Sequence, residues 1–373
     1  MTAAGWARLE LPWRDPIEMA VPADYDFLAT HVLGAGKYFP PHFELALELA
    51  PAGGVVLDLG AHLGTFTLAA AASGRRVIAV EAAPRNIEML TESARANGLE
   101  DGITIVPAAV SDRSGTVRFQ QEGAWGQITE SWWAADVVEV PARTVAEILA
   151  DLGVGRVDVV KIDVEGSEIA AIAGMADLLA RPDSPAVVYE SNAHTLRMFD
   201  VTPEQLVGAL ADFGYDSYLV DGEERELTPV TRASFQPETN VDYAAVKGAL
   251  QLPTGWSVLR PRSDNELARA VSAESREPSV ALRAQLARSL ERAPASLLAR
   301  RDVQLALTAL ALDPDETVAR AAAWWVRRGG EHGPARRAAG LGGVRQRFQG
   351  LGEQGRALRD RLGQIRIRWG ARP

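Results

Sequence analysis

Between residues 51 and 250 the apolar positions come in short unbroken runs, with amphipathic stretches between them. Runs at Val55–Leu59, Val77–Val80, Ile103–Val106, Val157–Ile162, Ala186–Tyr189, Tyr215–Val220 and Val241–Val246 predict seven strands, because consecutive apolar residues suit strands covered on both faces. Helical spacing falls between most of them, over Asn86–Asn97, Val145–Leu152, Glu168–Leu179 and Pro203–Phe213, and a short helix is expected earlier at Phe43–Leu49. This alternation predicts an α/β fold with a doubly wound, seven-stranded, Rossmann-like sheet. Only a loop beginning at Asp221-Gly222 separates the last two strands, so the final strand is expected to be antiparallel and to lie at the sheet edge.

The pattern is interrupted once and then changes. Where a helix should follow the third strand, Thr116–Gln120, a Gly-rich loop and Asp136–Val140 predict an inserted hairpin carrying Trp125, Trp132 and Trp133, able to cover a substrate or to pack on the body. Beyond about Pro261 the runs give way to short amphipathic helices at Val280–Glu291, Asp302–Ala311 and Glu316–Arg328, with a faint likeness to the turn and second helix of a HEAT-type repeat over Ala311–Arg320 but too little periodicity for an array. In the tail Val344, Phe348, Leu351, Leu358, Leu362, Ile365 and Trp369 recur at steps of three and four among arginines, predicting a basic amphipathic helix suited to an anionic membrane surface or an acidic partner. Glycines at 350, 352, 355 and 363 weaken that helix, and packing on the body or disorder are the competing readings. The expected organisation is therefore an N-terminal segment and helix over 1–50, the sheet domain over 51–250, an all-α extension over 261–330 and the basic tail over 331–373.

The chemistry concentrates where the first strand ends. Val55–Leu59 carries Asp58 and turns through Gly60-Ala61-His62-Leu63-Gly64 into an alanine-rich helix, the way an open α/β sheet builds a nucleotide-sized site at its carboxyl edge. Glycines at 60 and 64 would let the backbone approach a ligand. The second strand ends in Glu81, an acid placed to accept the ribose hydroxyls of an adenosine. Both NAD and S-adenosylmethionine sites share that acid, but the G-x-G pair that seats a pyrophosphate is missing here. Asp58 would repel a pyrophosphate and suits the ammonium of a methionine moiety, so the charge pattern favours S-adenosylmethionine.

Composition narrows the setting. The chain has 373 residues, 47% hydrophobic and 24% charged, the balance of a soluble globular protein. No apolar run approaches the roughly 18 residues of a membrane span, Met1–Trp6 lacks the features of a signal peptide, and a cytoplasmic location is expected. Without cysteine there is no thiolate metal site or cysteine nucleophile, and five scattered histidines do not suggest zinc. The net charge of −10 conceals an arginine-rich end after about Arg327, so the preceding body is more acidic still, which argues against nucleic acid as a partner.

Two further segments complete a site. Ile105–Val106 leads to Ser111 and Asp112, with Asp112 expected near the tip of the third strand beside an adenine. The fourth strand runs into Lys161-Ile162-Asp163-Val164-Glu165-Gly166-Ser167-Glu168, a density of charge that is costly to bury without a ligand or paired partners. Leu57–Gly64, Val80–Pro84, Ala108–Asp112 and Lys161–Glu168 occur in the order found in the FkbM family of S-adenosylmethionine-dependent methyltransferases, which residues 38–247 resemble. His62 departs from that family, which commonly has asparagine there. The resemblance implies methyl transfer, usually to a hydroxyl of a sugar, glycan or polyketide-type product. It implies that Asp58, Gly60 and Gly64 hold the methionine portion, with His62 in the same turn, that Glu81 binds the ribose, and that Ser111 and Asp112 lie by the adenine. Asp163 and Glu165 would sit between sulfonium and acceptor with Lys161 as charge partner, one of them acting as base, and Glu190 and His194 are second candidates. No metal is demanded by the spacing. Two rival readings remain open: an NAD-dependent enzyme on a similar sheet, and a scaffold whose helical C-terminus binds a partner or membrane.

Overall fold

A computed structural model describes residues 4–11, 13–22, 40–121, 126–131, 134–222, 225–230 and 240–259, and, further on, 271, 275, 280–291, 293, 295–298, 300–311 and 313–322. The chain forms two compact units, 1–260 and 261–373. Trp125, Trp132, Trp133 and the basic tail lie outside the described residues.

The first unit opens with a hairpin, β1 (Ala4–Leu11) and β2 (Arg14–Pro22), followed by α1 (Pro41–Leu49). Then come β3 (Val55–Leu59), α2 (Thr65–Ala72), β4 (Arg76–Glu81), α3 (Pro84–Ala96) and β5 (Ile103–Pro107). Next are β6 (Ala109–Val110), β7 (Gly115–Gln120), β8 (Gln127–Ile128), β9 (Val137–Arg143), α4 (Val145–Asp151) and β10 (Val159–Ile162). The unit continues through α5 (Glu168–Ala173), α6 (Ala176–Ala180), β11 (Ala186–Asn192), α7 (Ala193–Met198) and α8 (Pro203–Ala211). It closes with β12 (Tyr215–Asp221), β13 (Glu226–Pro229), β14 (Asn240–Lys247) and β15 (Ser257–Val258).

Among the described residues nine strands form the main sheet, in the order β15-β13-β12-β14-β11-β10-β3-β4-β5. Seven of them answer to the seven apolar runs. Alternate residues of these runs feed two cores. Val56, Val77, Ala79, Val159 and Val188 pack with α1, α2, α3 and the hairpin, while Leu57, Ile78, Val80, Val160 and Val187 pack with α4 to α8. Helices on both faces are what a doubly wound sheet requires. From β3 the chain winds outward through β4 and β5, then returns on the other side at β10. The reversal leaves a crevice at the carboxyl ends of β3 and β10, where such sheets bind ligands.

The last strand corrects one expectation. β14 is antiparallel, as predicted, but it lies between β11 and β12 rather than at the edge. The loop after Asp221 holds β13, which takes the outer side of β12 and leaves its inner side for β14. There Tyr243, Ala244 and Ala245 are covered on both faces, and Tyr243 stacks on Tyr189 at 5.2 Å between centroids. A second difference is the helix expected over 168–179, which breaks at Gly174. A Cβ there would lie 2.2 Å from the Ser111 carbonyl oxygen, so the close approach of that loop ends one helix and begins another. The insert is the expected hairpin of β7 and β9, enlarged by β6 and β8 into a sheet of its own.

The hairpin β1–β2, which no motif announced, packs on α3 and is tied there by a buried serine. Ser93 Oγ accepts from Ala20 N at 2.8 Å and donates to Met89 O at 2.7 Å. In the second unit, helices at Val280–Glu291, Ala295–Leu298, Arg301–Ala311 and Glu316–Ala321 enclose Leu286, Leu290, Val303, Leu307 and Val318. Arg283 grips Asp313 through Nε at 2.8 Å and a second guanidinium nitrogen at 3.0 Å. Its described residues contain no strand, and among all described residues no helix is long and apolar enough to cross a membrane.

Ser93→Ala should strand the Ala20 N–H in the interior, costing about 1–3 kcal/mol. Thermal unfolding should register a fall in Tm of about 2–4 °C per kcal/mol; an unchanged Tm would show that this bond does not hold the hairpin.

Candidate active site

Asp58 on β3 and Lys161 on β10 are register partners in adjacent parallel strands and point to the same face of the sheet as Val56 and Val159. Both are interior, Asp58 fully so and Lys161 4% exposed. Lys161 Nζ lies 3.3 Å from Asp58 Oδ1 and 3.4 Å from Asp163 Oδ2, and donates to Gly60 O at 2.8 Å. It also sits 5.6 Å from the centroid of the Phe43 ring. Burial alone would lower its proton affinity, but the Asp58 and Asp163 carboxylates outweigh burial and hold the ammonium above the ordinary lysine range. Asp58 Oδ2 accepts from Thr67 Oγ1 at 2.6 Å. Asp58 has no exposure, and its Oδ1 makes no hydrogen bond but faces the Lys161 ammonium at 3.3 Å.

The turn after β3 is clamped by the acid at the tip of β4. Glu81 Oε2 accepts from His62 N at 2.7 Å, and Oε1 accepts from Ala83 N at 2.9 Å and Asn86 Nδ2 at 3.2 Å. Burial raises its proton affinity, and those three donors oppose the rise. A carboxylate offers roughly four acceptor sites, so about one is left after these three donors. His62 adopts φ 51°, a left-handed conformation that histidine and asparagine tolerate better than most residues, which accounts physically for either one at this position. Burial pulls its imidazole down to about 4, so the ring is neutral near pH 7.

The two glycines have a structural purpose. Gly60, at φ 80°, would place a Cβ 1.9 Å from the Asp163 carbonyl oxygen, and Gly64, at φ 91°, would place one 2.2 Å from Leu90 Cδ1. What a side chain would displace is the neighbouring loop and helix α3, so these glycines let the two strand-end loops close on each other.

After β10, Glu165 holds φ 49°, a strained setting for a side chain of its size, and Gly166 follows at φ 101°. Glu165 Oε2 is buried without a hydrogen-bond partner. Burial, then the nearby Asp163 and Glu168, push its carboxyl up to about 8. Glu168 is buried, its Oε1 accepting from Gly166 N at 3.0 Å and Val164 N at 3.3 Å, and burial pushes it up to about 7. Carboxylate oxygens of Asp163, Glu165 and Glu190 lie within 4.8 Å of one another, close enough to share one cationic centre.

Not every expected residue joins this group. Ser111 and Asp112 follow β6, past the tip of the third strand rather than near it. Their segment starts beside Glu81, where Ala108 N donates to Glu81 O at 3.0 Å, but Ser111 is buried, its N bonded to Arg143 O and its carbonyl packed on Gly174 at the far end of α5. Asp112 is exposed, 3.6 Å from Arg113 Nε. His194 is exposed, its N–H capped by the Asn192 side chain at 3.0 Å. Sequence reading missed Thr67 and Asn86, which bind the two buried acids, and a further pair. His42 at the start of α1 lies 2.8 Å, through Nδ1, from Asp242 Oδ2 on β14. The available signal was positional: α1 must lead into the amino end of β3, which puts its Pro-Pro-His start at the carboxyl edge.

A doubly wound sheet with an antiparallel strand tucked beside its last parallel one, and an acid-lined crevice at the reversal, is a Rossmann-like architecture with a ligand-sized site at its carboxyl edge. Residues 58–217 match the model of the methyltransferase FkbM domain. No curated protein matches the chain. Among solved structures it is similar to a S-adenosylmethionine-dependent methyltransferase from Agrobacterium tumefaciens, with 16% identity and TM-score 0.36, covering 66% of this chain and 71% of that one. It is also similar to a TehB-like methyltransferase from Corynebacterium glutamicum, at 14% identity and TM-score 0.35, over 59% and 95% of the two chains. A precorrin-6y C5,15-methyltransferase from Geobacter metallireducens shows 16% identity and TM-score 0.33 over 55% and 86%. Likeness this weak carries no information on substrate or mechanism.

Glu165 has a folded-state value near 8 against an ordinary 4.5, so the folded protein holds an extra proton between those values and loses stability as pH rises through that window. Glu165→Gln removes that penalty. Its Tm should exceed the wild-type value above about pH 8 and converge with it near pH 4.5; a gain equal at both ends would trace to packing instead of ionisation.

Proposed function

We propose that the protein is an S-adenosylmethionine-dependent O-methyltransferase acting on a hydroxyl of a sugar, glycan or polyketide-type product. The observation that carries this reading is the excess of carboxylate at the β3–β10 crevice. Asp58, Glu81, Asp163, Glu165, Glu168 and Glu190 gather there, and Lys161 balances two of them directly. Such a field repels a pyrophosphate and attracts a ligand bearing a sulfonium, which speaks against an NAD enzyme. The buried, unpartnered Oε2 of Glu165 and the spare acceptor site of Glu81 fit the two ends of that ligand, a cationic sulfur and a ribose.

In this reading the turn of Gly60, His62 and Gly64, set by Asp58 and Lys161, receives the methionine portion. Glu81 binds the ribose, and Asp112, with Ser111 holding its loop, faces the adenine. Asp163, Glu165 and Glu190 flank the transferred methyl and the acceptor. When bound, the cofactor supplies a methyl group already activated for displacement. The chain's share is to align an acceptor oxygen with it and to keep water out, a positional effect worth about 7–11 kcal/mol at best. A peripheral membrane or acidic protein partner for the basic C-terminal tail belongs to the same proposal, as a means of bringing the enzyme to its acceptor.

Tritiated S-adenosylmethionine offered to a panel of monosaccharides, methyl glycosides and polyketide lactones should label a hydroxyl in one of these classes; label entering only amines or nucleic acid would refute O-methylation. A divalent ion on the same three carboxylates is the second reading, favoured by their mutual 4.8 Å spacing. Transfer that survives EDTA assigns them to the sulfonium, while loss restored by Mg²⁺ assigns them to a metal.

Affinity should also report the charge. A sulfonium favours ionised Glu165, so S-adenosylmethionine should bind more tightly as pH rises through about 8, and S-adenosylhomocysteine, with a neutral sulfur, should respond less. Calorimetry measures both, and identical pH dependence would remove Glu165 from the sulfur's surroundings.

A further inference from the structure

We infer that His42 and Asp242 form the proton-accepting pair of this crevice, His42 taking the proton of a hydroxyl acceptor and Asp242 orienting its ring. The inference rests on the methyl-transfer reading above. Both residues lie outside the segment matched by the family, residues 58–217.

Placement comes from the topology. Helix α1 leads through Ala50 to the amino end of β3, so its first turn stands at the carboxyl edge of the parallel strands. Asp242 is the direct cross-strand partner of Glu190, and paired residues in an antiparallel ladder share a face with Cβ atoms about 4.5–5.5 Å apart. Glu190 in turn belongs to the carboxylate group with Asp163 and Glu165. On its other side His42 meets Phe43 edge-on at 4.4 Å between centroids, and Phe43 underlies Lys161. The charged groups around the pair are thus Asp242 on β14, Glu190 on β11, Lys161 on β10, and Asp163 and Glu165 in the loop after it.

The contact fixes the chemistry of the ring. With Nδ1 2.8 Å from Asp242 Oδ2, the neutral imidazole carries its proton at Nδ1, donates it to the carboxylate and keeps a lone pair on Nε2. The carboxylates expected to act as base are less suited. Asp163 is engaged by Lys161 at 3.4 Å, and Glu165 retains its proton at neutral pH. In the step itself the acceptor O–H bond breaks and its proton passes to Nε2. The oxygen's electron pair forms the new O–CH₃ bond, and the S–CH₃ pair stays on sulfur, leaving a neutral thioether. The imidazolium is held beside the Asp242 carboxylate until it returns the proton to water.

Two readouts on the full chain test the pair. Long-range ¹H–¹⁵N spectra should show the neutral His42 ring as its Nδ1–H tautomer, and Asp242→Asn should populate the Nε2–H form; a wild-type ring already in the Nε2–H form overturns the inference. With tritiated S-adenosylmethionine and the hydroxyl compound that the wild type labels, His42→Gln should lower kcat by about 10²–10⁴-fold. Its affinity for S-adenosylhomocysteine and its Tm should stay at the wild-type values. An unchanged kcat overturns the pair alone, whereas a wild-type protein that fails to bind S-adenosylhomocysteine overturns the methyl-transfer reading beneath it.

Discussion

A buried ammonium group organises this protein. Lys161 reaches from β10 to the carboxylate of Asp58 on β3, to the carbonyl of Gly60 and to Asp163, and so joins the two strands that flank the reversal of the sheet. Removing one partner from such a pair leaves an uncompensated interior charge, typically costing about 3–5 kcal/mol. The turn after β3 and the loop after β10 are therefore held at a fixed separation by charge, while Gly60 lets their backbones touch.

Around that hub the remaining acids divide by what they are bonded to. Glu81 is bonded at both oxygens, mostly by backbone N–H groups, and Glu168 at Oε1 alone, its Oε2 being buried without a hydrogen-bond partner; both hold loops in shape. Glu165 is strained in its backbone and short of partners at one oxygen, and Asp163 and Glu190 are half-buried beside it. Unmet demand and backbone strain coincide at one point of the crevice, where reactive centres are usually found.

Much of this was readable from the chain. Continuous apolar runs announced the seven strands because parallel strands are covered on both faces, and acids at the ends of Val55–Leu59, Val77–Val80 and Val157–Ile162 announced the crevice because charge survives there only at the edge. What escaped depends on distance along the chain. The neighbours of β14 follow from β13 having claimed the outer side of β12, a competition that no local pattern encodes. The His42–Asp242 pair owes its contact to elements brought together by the sheet, and the terminal hairpin owes its place to Ser93 on α3, whereas Thr67 and Asn86 bind acids only nine and five residues away, each from the helix that follows the acid's strand. The roles given to Gly60 and Gly64 were read as space for a ligand, because sequence shows that a Cβ is missing and not what fills the gap.

The seat of β14 has a consequence for how the molecule comes into being. Until residues 240–247 have left the ribosome, β11 and β12 lack the strand that separates them, and the middle of the sheet is an open slot lined with unpaired amides and apolar side chains. A nascent chain halted anywhere in the preceding stretch would hold a nearly finished crevice on an unfinished floor, so the domain closes late and from its C-terminal end, and chaperones would meet it in that state.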